Sequence, residues 1–218
     1  MIKKLTTLAT LLALAVLLPG AAFALGAGEV ADGVQKKYSA LNDLSASFNQ
    51  ESRVVTLGRS RFKEGTILFK KPGRMRWDYS PPDPQLIVSD GETLWYYRQE
   101  QKQVFVRNLG TVFTSQTPLL FLFGEGRLAD QFLWEEKELT ADGEGTYLLE
   151  MTPRSETPDL VSLALAVREG DFSIAATVLT DAFGNVTRLD FSEEQENQGL
   201  EEGPFTFEIP EGSEVIRQ

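Results

Sequence analysis

From Leu44 to Ile209 the chain returns again and again to one period, with apolar and polar side chains alternating residue by residue in short runs separated by turn residues. Leu44, Ala46 and Phe48 alternate with Ser45, Ser47 and Asn49, and the pattern recurs in residues 66–70, 74–79, 86–88, 94–97, 103–107, 147–152, 160–167, 175–180, 186–192 and 204–209. A side-chain period of two buries one face of each run and wets the other, which is the signature of a half-buried strand. Turn signals separate several runs: Ser89-Asp90-Gly91-Glu92, Glu169-Gly170-Asp171 and Ala182-Phe183-Gly184-Asn185. About ten strands at hairpin spacing predict one large antiparallel sheet, curved or nearly closed. Residues 80–84 form a Pro-rich corner, too short to divide domains.

Two segments depart from that period. Val30, Val34, Tyr38 and Leu41 recur at helical spacing with Glu29, Asp32, Lys36 and Lys37 between them, predicting an amphipathic helix that ends near Asn42-Asp43. In residues 115–124, Thr117 suits an N-cap, Pro118 the first helical position and Gly124 the end of the turn. Five consecutive large apolar residues from Leu119 to Phe123 make that short helix hydrophobic on every face. It either plugs the sheet's own core or covers something apolar that is sometimes absent.

The N-terminus has the layout of an export signal. Lys3 and Lys4 precede an apolar stretch from Leu8 to Leu18, Pro19-Gly20 breaks it, and Ala22-Phe23-Ala24 offers a small-x-small cleavage site. The stretch is short of the roughly 20 residues a bilayer span needs, so the segment reads as removed, not as an anchor. Cleavage after Ala24 leaves one domain, residues 25–218, with no cysteine at its new N-terminus to carry lipid. The expected destination is the periplasm, in soluble form.

Composition then removes chemistry. There are 32 acidic against 21 basic residues, a formal net charge of −11, and the two lysines lost with the signal leave the remainder more acidic still. Nucleic acid, which calls for a basic footprint, is not an expected partner. With no cysteine and no histidine, disulfides, thiolate and imidazole metal sites and Ser-His or Cys-His catalysis are absent. No phosphate loop, dinucleotide fingerprint, Ser-x-x-Lys or Gly-x-Ser-x-Gly occurs, and no cofactor is implied. The acidic pairs Glu135-Glu136, Glu193-Glu194 and Glu201-Glu202 are sequence neighbours, which a strand sends to opposite faces; they read as solvated surface.

The candidate chemistry is therefore an apolar face. In residues 65–79, Ile67, Phe69, Lys71, Met75, Trp77 and Tyr79 share one parity, while Thr66, Lys70, Arg74, Arg76 and Asp78 occupy the other. Lys71 continues the apolar parity just before Pro72. Its ammonium either lies at the rim of that face, where it needs a partner, or is turned outward by the proline corner.

These residues resemble a known family, the periplasmic outer-membrane lipoprotein carriers of the LolA family. The resemblance is carried by Leu44-Ser45-Ala46-Ser47-Phe48-Asn49-Gln50, by the run from Gly65 through Lys71-Pro72-Gly73 to Tyr79, by Gln85 through Ser89-Asp90-Gly91 to Leu94-Trp95-Tyr96-Tyr97, by Thr117-Pro118-Leu119-Leu120, and by Phe205-Thr206-Phe207-Glu208-Ile209-Pro210. It implies a mainly β fold with some helix: a large curved antiparallel sheet, an unclosed half-barrel, covered by a few short helices that lid an apolar cavity for lipoprotein acyl chains. It further implies a non-enzymatic monomer with three partners: acylated lipoproteins, an inner-membrane lipoprotein-releasing ABC transporter and an outer-membrane lipoprotein receptor. Position by position, Tyr38, Leu41, Leu44, Phe48, Ile67, Phe69, Met75, Trp77 and Ile87 take the places of cavity-lining residues, and Leu119, Leu120 and Leu122 those of the lid. Where the family often has an arginine latch before the corner proline, this chain has Lys71, a point charge without the planar fork. Two other readings stay open: a related lipoprotein-binding receptor or sensor built on the same sheet, and a carboxylate-type hydrolase.

Overall fold

The computed structural model describes residues 24–112, 126–155 and 158–217. All of the expected signal (1–24) but Ala24, and the segment expected as a short apolar helix carrying Leu119, Leu120 and Leu122, lie outside the described residues.

The chain opens with a two-residue strand β1 (Leu25–Gly26) and helix α1 (Ala27–Ala40), whose buried stripe is Ala27, Val30, Ala31, Val34 and Tyr38. Glu29 Oε2 accepts from the Gly26 amide at 2.8 Å, satisfying one of the donors a helix start leaves open. The helix stops at Ala40, two residues before the expected end, because the backbone of Asn42 is already committed elsewhere. Its carbonyl accepts from the Lys71 amide at 2.9 Å, and its amide donates to Asn197 Oδ1 at 2.7 Å.

Strands then follow at the expected spacing: β2 (Asp43–Val54), β3 (Arg59–Lys70), β4 (Arg74–Tyr79), β5 (Gln85–Asp90), β6 (Thr93–Arg98) and β7 (Gln103–Asn108). After the short helices α2 (Leu109–Val112) and α3 (Leu128–Gln131) come β8 (Phe132–Leu133), β9 (Glu138–Leu139), β10 (Thr146–Pro153), β11 (Ser162–Arg168), β12 (Ile174–Thr180), β13 (Val186–Glu196) and β14 (Glu214–Arg217). Twelve of them form one sheet in the order β14-β7-β6-β5-β4-β3-β2-β13-β12-β11-β10-β8, and β1 pairs with β9 beside it. The edge strands β14 and β8 do not meet, so the sheet stays unclosed. Neighbours are antiparallel except β14, which runs parallel to β7. That last strand carries no alternation long enough to be read from sequence.

Each face has its own cover. On the concave side α1 lies against β10 to β12: the Ile174 amide donates to the buried Tyr38 hydroxyl at 3.0 Å, and a Cβ on Gly33 would run into the Phe172 ring. On the convex side the closing segment does the covering. Residues 204–209, expected as a strand, form a 3-10 turn at Gly203–Phe205 and then an extended stretch with no ladder partner among the described residues. The alternation there is real but serves a different end. Phe205 is buried over β4 and β5, and Phe207 meets Trp95 and Tyr97 at 6.0 and 5.9 Å between ring centres. Leu86, Val88 and Val104 lie buried on that face.

Candidate functional site

The two-residue period assembles the concave face by cross-strand pairing. Leu44 stands opposite Phe69, Ala46 opposite Ile67, Ile67 opposite Trp77, Phe69 opposite Met75 and Trp77 opposite Ile87. Rings interlock over this patch: Phe48 lies 5.2 Å from Trp77 and 5.0 Å from Tyr79, and Phe69 lies 5.9 Å from Trp77, in tilted or edge-on geometry. Gly65 makes that approach possible. It pairs with Phe48 and Tyr79, and a Cβ there would collide with the Asp78 carbonyl oxygen and press on the Phe48 ring.

All nine expected cavity residues come together on this face. Tyr38, Leu41, Leu44, Phe48, Ile67, Phe69, Met75 and Trp77 are buried, and Ile87 is half-buried at their edge. Under α1 the fit is tight: the gap framed by Tyr38, Leu44, Ala46, Ile67, Phe69, Ile174, Phe191 and Glu194 measures about 10 Å³, room for a water at most.

Open space lies next to that packed patch. One groove of about 630 Å³ has Ile87, Leu94, Tyr96 and Phe105 as its apolar floor and Arg61, Lys63, Asp83, Gln85, Arg98 and Arg107 around it. A second opening of about 720 Å³ adjoins it around Gln50, Phe62, Pro81 and Pro82, sharing Arg61, Lys63 and Asp83. Leu94, Tyr96 and Phe105 were missed at the sequence level although their parity in β6 and β7 was visible. Registering them onto Ile87 needs the ladder, which sets Ile87 opposite Tyr96 and Tyr96 opposite Phe105.

The polar groups of the site are mostly tied down. The Tyr79 hydroxyl donates to Gln50 Oε1 and the Tyr96 hydroxyl to Gln85 Oε1, both at 3.0 Å. Burial pushes the Tyr79 phenol up to about 12 and raises Tyr38 and Tyr96 as well. Lys63 pairs with Asp83 at 2.6 Å and holds its carboxyl below the ordinary range.

Lys71 sits at the other end of the patch. Its ammonium donates to the carbonyl oxygens of Tyr38 and Ser39 at 2.7 and 2.9 Å, the free C-terminal end of α1. Partial burial lowers its pKa. The opposite parity behaves as the alternation requires: Arg74 pairs with Glu202 at 2.8 Å, and Arg76 donates to the Pro204 carbonyl at 3.1 Å.

The acidic pairs are engaged separately. Glu194 pairs with Arg168 at 2.6 Å while Glu193 accepts from Ser47, and Glu202 pairs with Lys70 and Arg74. What the geometry offers is therefore a large aromatic surface continuing into an open groove with an apolar side and a charged rim, a surface that an apolar ligand can lie against.

Residues 39–208 match the family model described as "Outer membrane lipoprotein carrier protein LolA". An outer-membrane lipoprotein carrier protein of Cupriavidus pinatubonensis is 35% identical over 154 residues, 71% of this chain and 70% of that one. The protein of the same description from Methylococcus capsulatus is 35% identical over 174 residues, 79% and 80% of the two chains. The crystal structure of an uncharacterized conserved protein from Thermus thermophilus superposes with a TM-score of 0.55 at 15% identity, covering 88% of this chain and 99% of that one, a likeness of fold alone.

Proposed function

The chain belongs to the outer membrane lipoprotein carrier family LolA, and from that premise we propose that it shields the acyl chains of lipoproteins on their way across the periplasm. The observation that carries this reading is one apolar sheet face, packed at the Phe48, Trp77 and Tyr79 rings and open beside them in the groove lined by Ile87, Leu94, Tyr96 and Phe105.

The physical need is clear. Each exposed methylene costs about 0.8 kcal/mol in water, so one chain of roughly sixteen carbons costs on the order of 12 kcal/mol. Free transfer between membranes is negligible at that cost, and a carrier must supply apolar surface with few directional bonds, so that release stays possible. The groove fits, because Ile87, Leu94, Tyr96 and Phe105 give it an apolar side and Lys63, Asp83, Gln85 and Tyr96 are bonded to one another. The buried set, Tyr38, Leu41, Leu44, Phe48, Ile67, Phe69, Met75 and Trp77, is the wall that an acyl chain meets when α1 and the sheet part. Leu119, Leu120 and Leu122 close it, and Lys71 fixes the end of α1 that borders it.

The same reading assigns residues 1–24 to a removed export signal and 25–218 to the carrier domain. It makes the donor an inner-membrane lipoprotein-releasing ABC transporter and the acceptor an outer-membrane lipoprotein receptor. No bond is made or broken in that cycle.

The test is binding of a triacylated lipopeptide to the protein as the producing cell exports it, followed by intrinsic tryptophan fluorescence. Saturable binding, weakened at least about tenfold by Phe105→Glu with the fold unchanged, is expected. A folded wild-type protein with no affinity for the lipopeptide would overturn the reading.

A further inference from the structure

One end of the sheet differs from the rest of the surface. There β2 turns into β3 through a 3-10 turn at Val55–Leu57, closed by Gly58 in the left-handed conformation. The turn between β12 and β13 leaves the same end, since Val186 is registered opposite Arg53. The two turns are fastened together: the Val55 amide donates to Asn185 Oδ1 at 3.0 Å, and a Cβ on Gly184 would lie 3.8 Å from the Val55 side chain. From this joined tip project three large apolar side chains that pack on little, Val55 at 52% exposure, Leu57 at 60% and Phe183 at 72%.

Their setting is cationic. Arg53, Arg59 and Arg61 surround the tip, and none of the three forms an ion pair among the described residues, in a protein whose net charge is −11. The nearby acids are engaged by neighbouring polar groups. Asp181 accepts from the amides of Phe183 and Asn185 and from the Asn185 side chain, and Glu51 accepts from the Ser60 hydroxyl at 2.7 Å. Apolar residues at an apex with unpaired arginines behind them match the layering of a bilayer surface, acyl chains inside and phosphates outside. The turn bonds hold the apex in place beforehand, so little ordering is lost on contact.

We propose that this end of the molecule is a docking surface for an anionic lipid bilayer, with Val55, Leu57 and Phe183 entering the interface and Arg53, Arg59 and Arg61 meeting the headgroup phosphates. Arg61 also borders both open grooves, so a molecule seated this way presents its groove mouth to the lipid. The inference goes beyond the carrier reading and is tested without cargo.

The experiment is flotation of the exported protein with vesicles of one part phosphatidylglycerol to three parts phosphatidylethanolamine, and with phosphatidylcholine vesicles. Binding to the anionic vesicles that weakens with salt is expected, lowered about tenfold or more by Val55→Ser, Leu57→Ser and Phe183→Ser combined. Arg53→Gln, Arg59→Gln and Arg61→Gln combined should remove the preference for phosphatidylglycerol. An unchanged melting temperature in both variants keeps a folding defect out of the result, since all six side chains are exposed at the tip. No vesicle binding by wild type, or binding that the serine variant retains, overturns the proposal. So does concentration-dependent self-association through the same side chains in place of lipid binding.

Discussion

The ammonium of Lys71 donates to the main-chain carbonyl oxygen of Tyr38 at 2.7 Å, and through it the corner between β3 and β4 closes the C-terminal end of α1. The same side chain reaches Ser39 at 2.9 Å, so two carbonyls that a helix end leaves open share one cation. Lys71→Met should therefore lower stability by about 1–2 kcal/mol, as a lost charge-assisted bond at a helix end does. Lys71→Arg, which keeps the charge and can reach both oxygens, should stay within about 0.5 kcal/mol of wild type. Urea denaturation of the three proteins measures this; equal loss in both variants would show that the contact contributes through packing alone.

Gly65 has no room for a side chain between the Asp78 carbonyl and the Phe48 ring. Gly65→Ala is expected to cost about 2–3 kcal/mol, because backbone on a neighbouring strand must move to admit the methyl group. A thermal melt that matches wild type would refute the close approach.

The closing segment holds the convex face, and Phe205 is its deepest side chain at 1% exposure. Phe205→Ala should cost about 3–5 kcal/mol, although it lies on the far side of the sheet from the groove. Lipopeptide affinity measured well below the melting temperature should be unaltered, which separates this residue from Phe105.

Stability at high pH should fall because of Tyr79. Its phenol titrates at about 12 in the fold against 10.0 in the free chain, so the unfolded state loses its proton first. The contribution is fully present below pH 10 and is lost as the pH rises through about 12, a decline of order 2 kcal/mol. Tyr79→Phe should flatten that decline at a cost of about 1 kcal/mol at neutral pH for the lost bond to Gln50. Denaturation midpoints from pH 8 to 12, alongside absorbance at the phenolate band, check both statements.

Much of the fold was legible because a period of two is a local property of the chain. Leu44, Ala46 and Phe48 show by parity alone that they share one face of their strand, and Met75 and Trp77 that they share one face of theirs, with Arg74 and Arg76 on the other. Val30, Val34 and Tyr38 declare the helix in the same way. Periodicity also misled at residues 204–209, since Phe205 and Phe207 can point one way in an extended chain without any ladder to join. The strand at Glu214–Arg217 was too short to show a period and exists only because β7 offers it an edge.

Sequence by itself thus determined the strand pattern, the helix and the acidic, histidine-free chemistry, which follow from residue type and near-neighbour spacing, and its motifs carried the resemblance to the family that the comparisons then showed. Tertiary structure alone decided that eight of the nine expected cavity residues are packed away while Leu94, Tyr96 and Phe105 floor the open groove. It alone set Lys71 on the end of α1 and joined Val55 to the turn that carries Phe183. The reason is distance along the chain: these contacts span from 33 to 130 residues, and register across strands and the stacking of layers fix them, not any property of the residues' own neighbours.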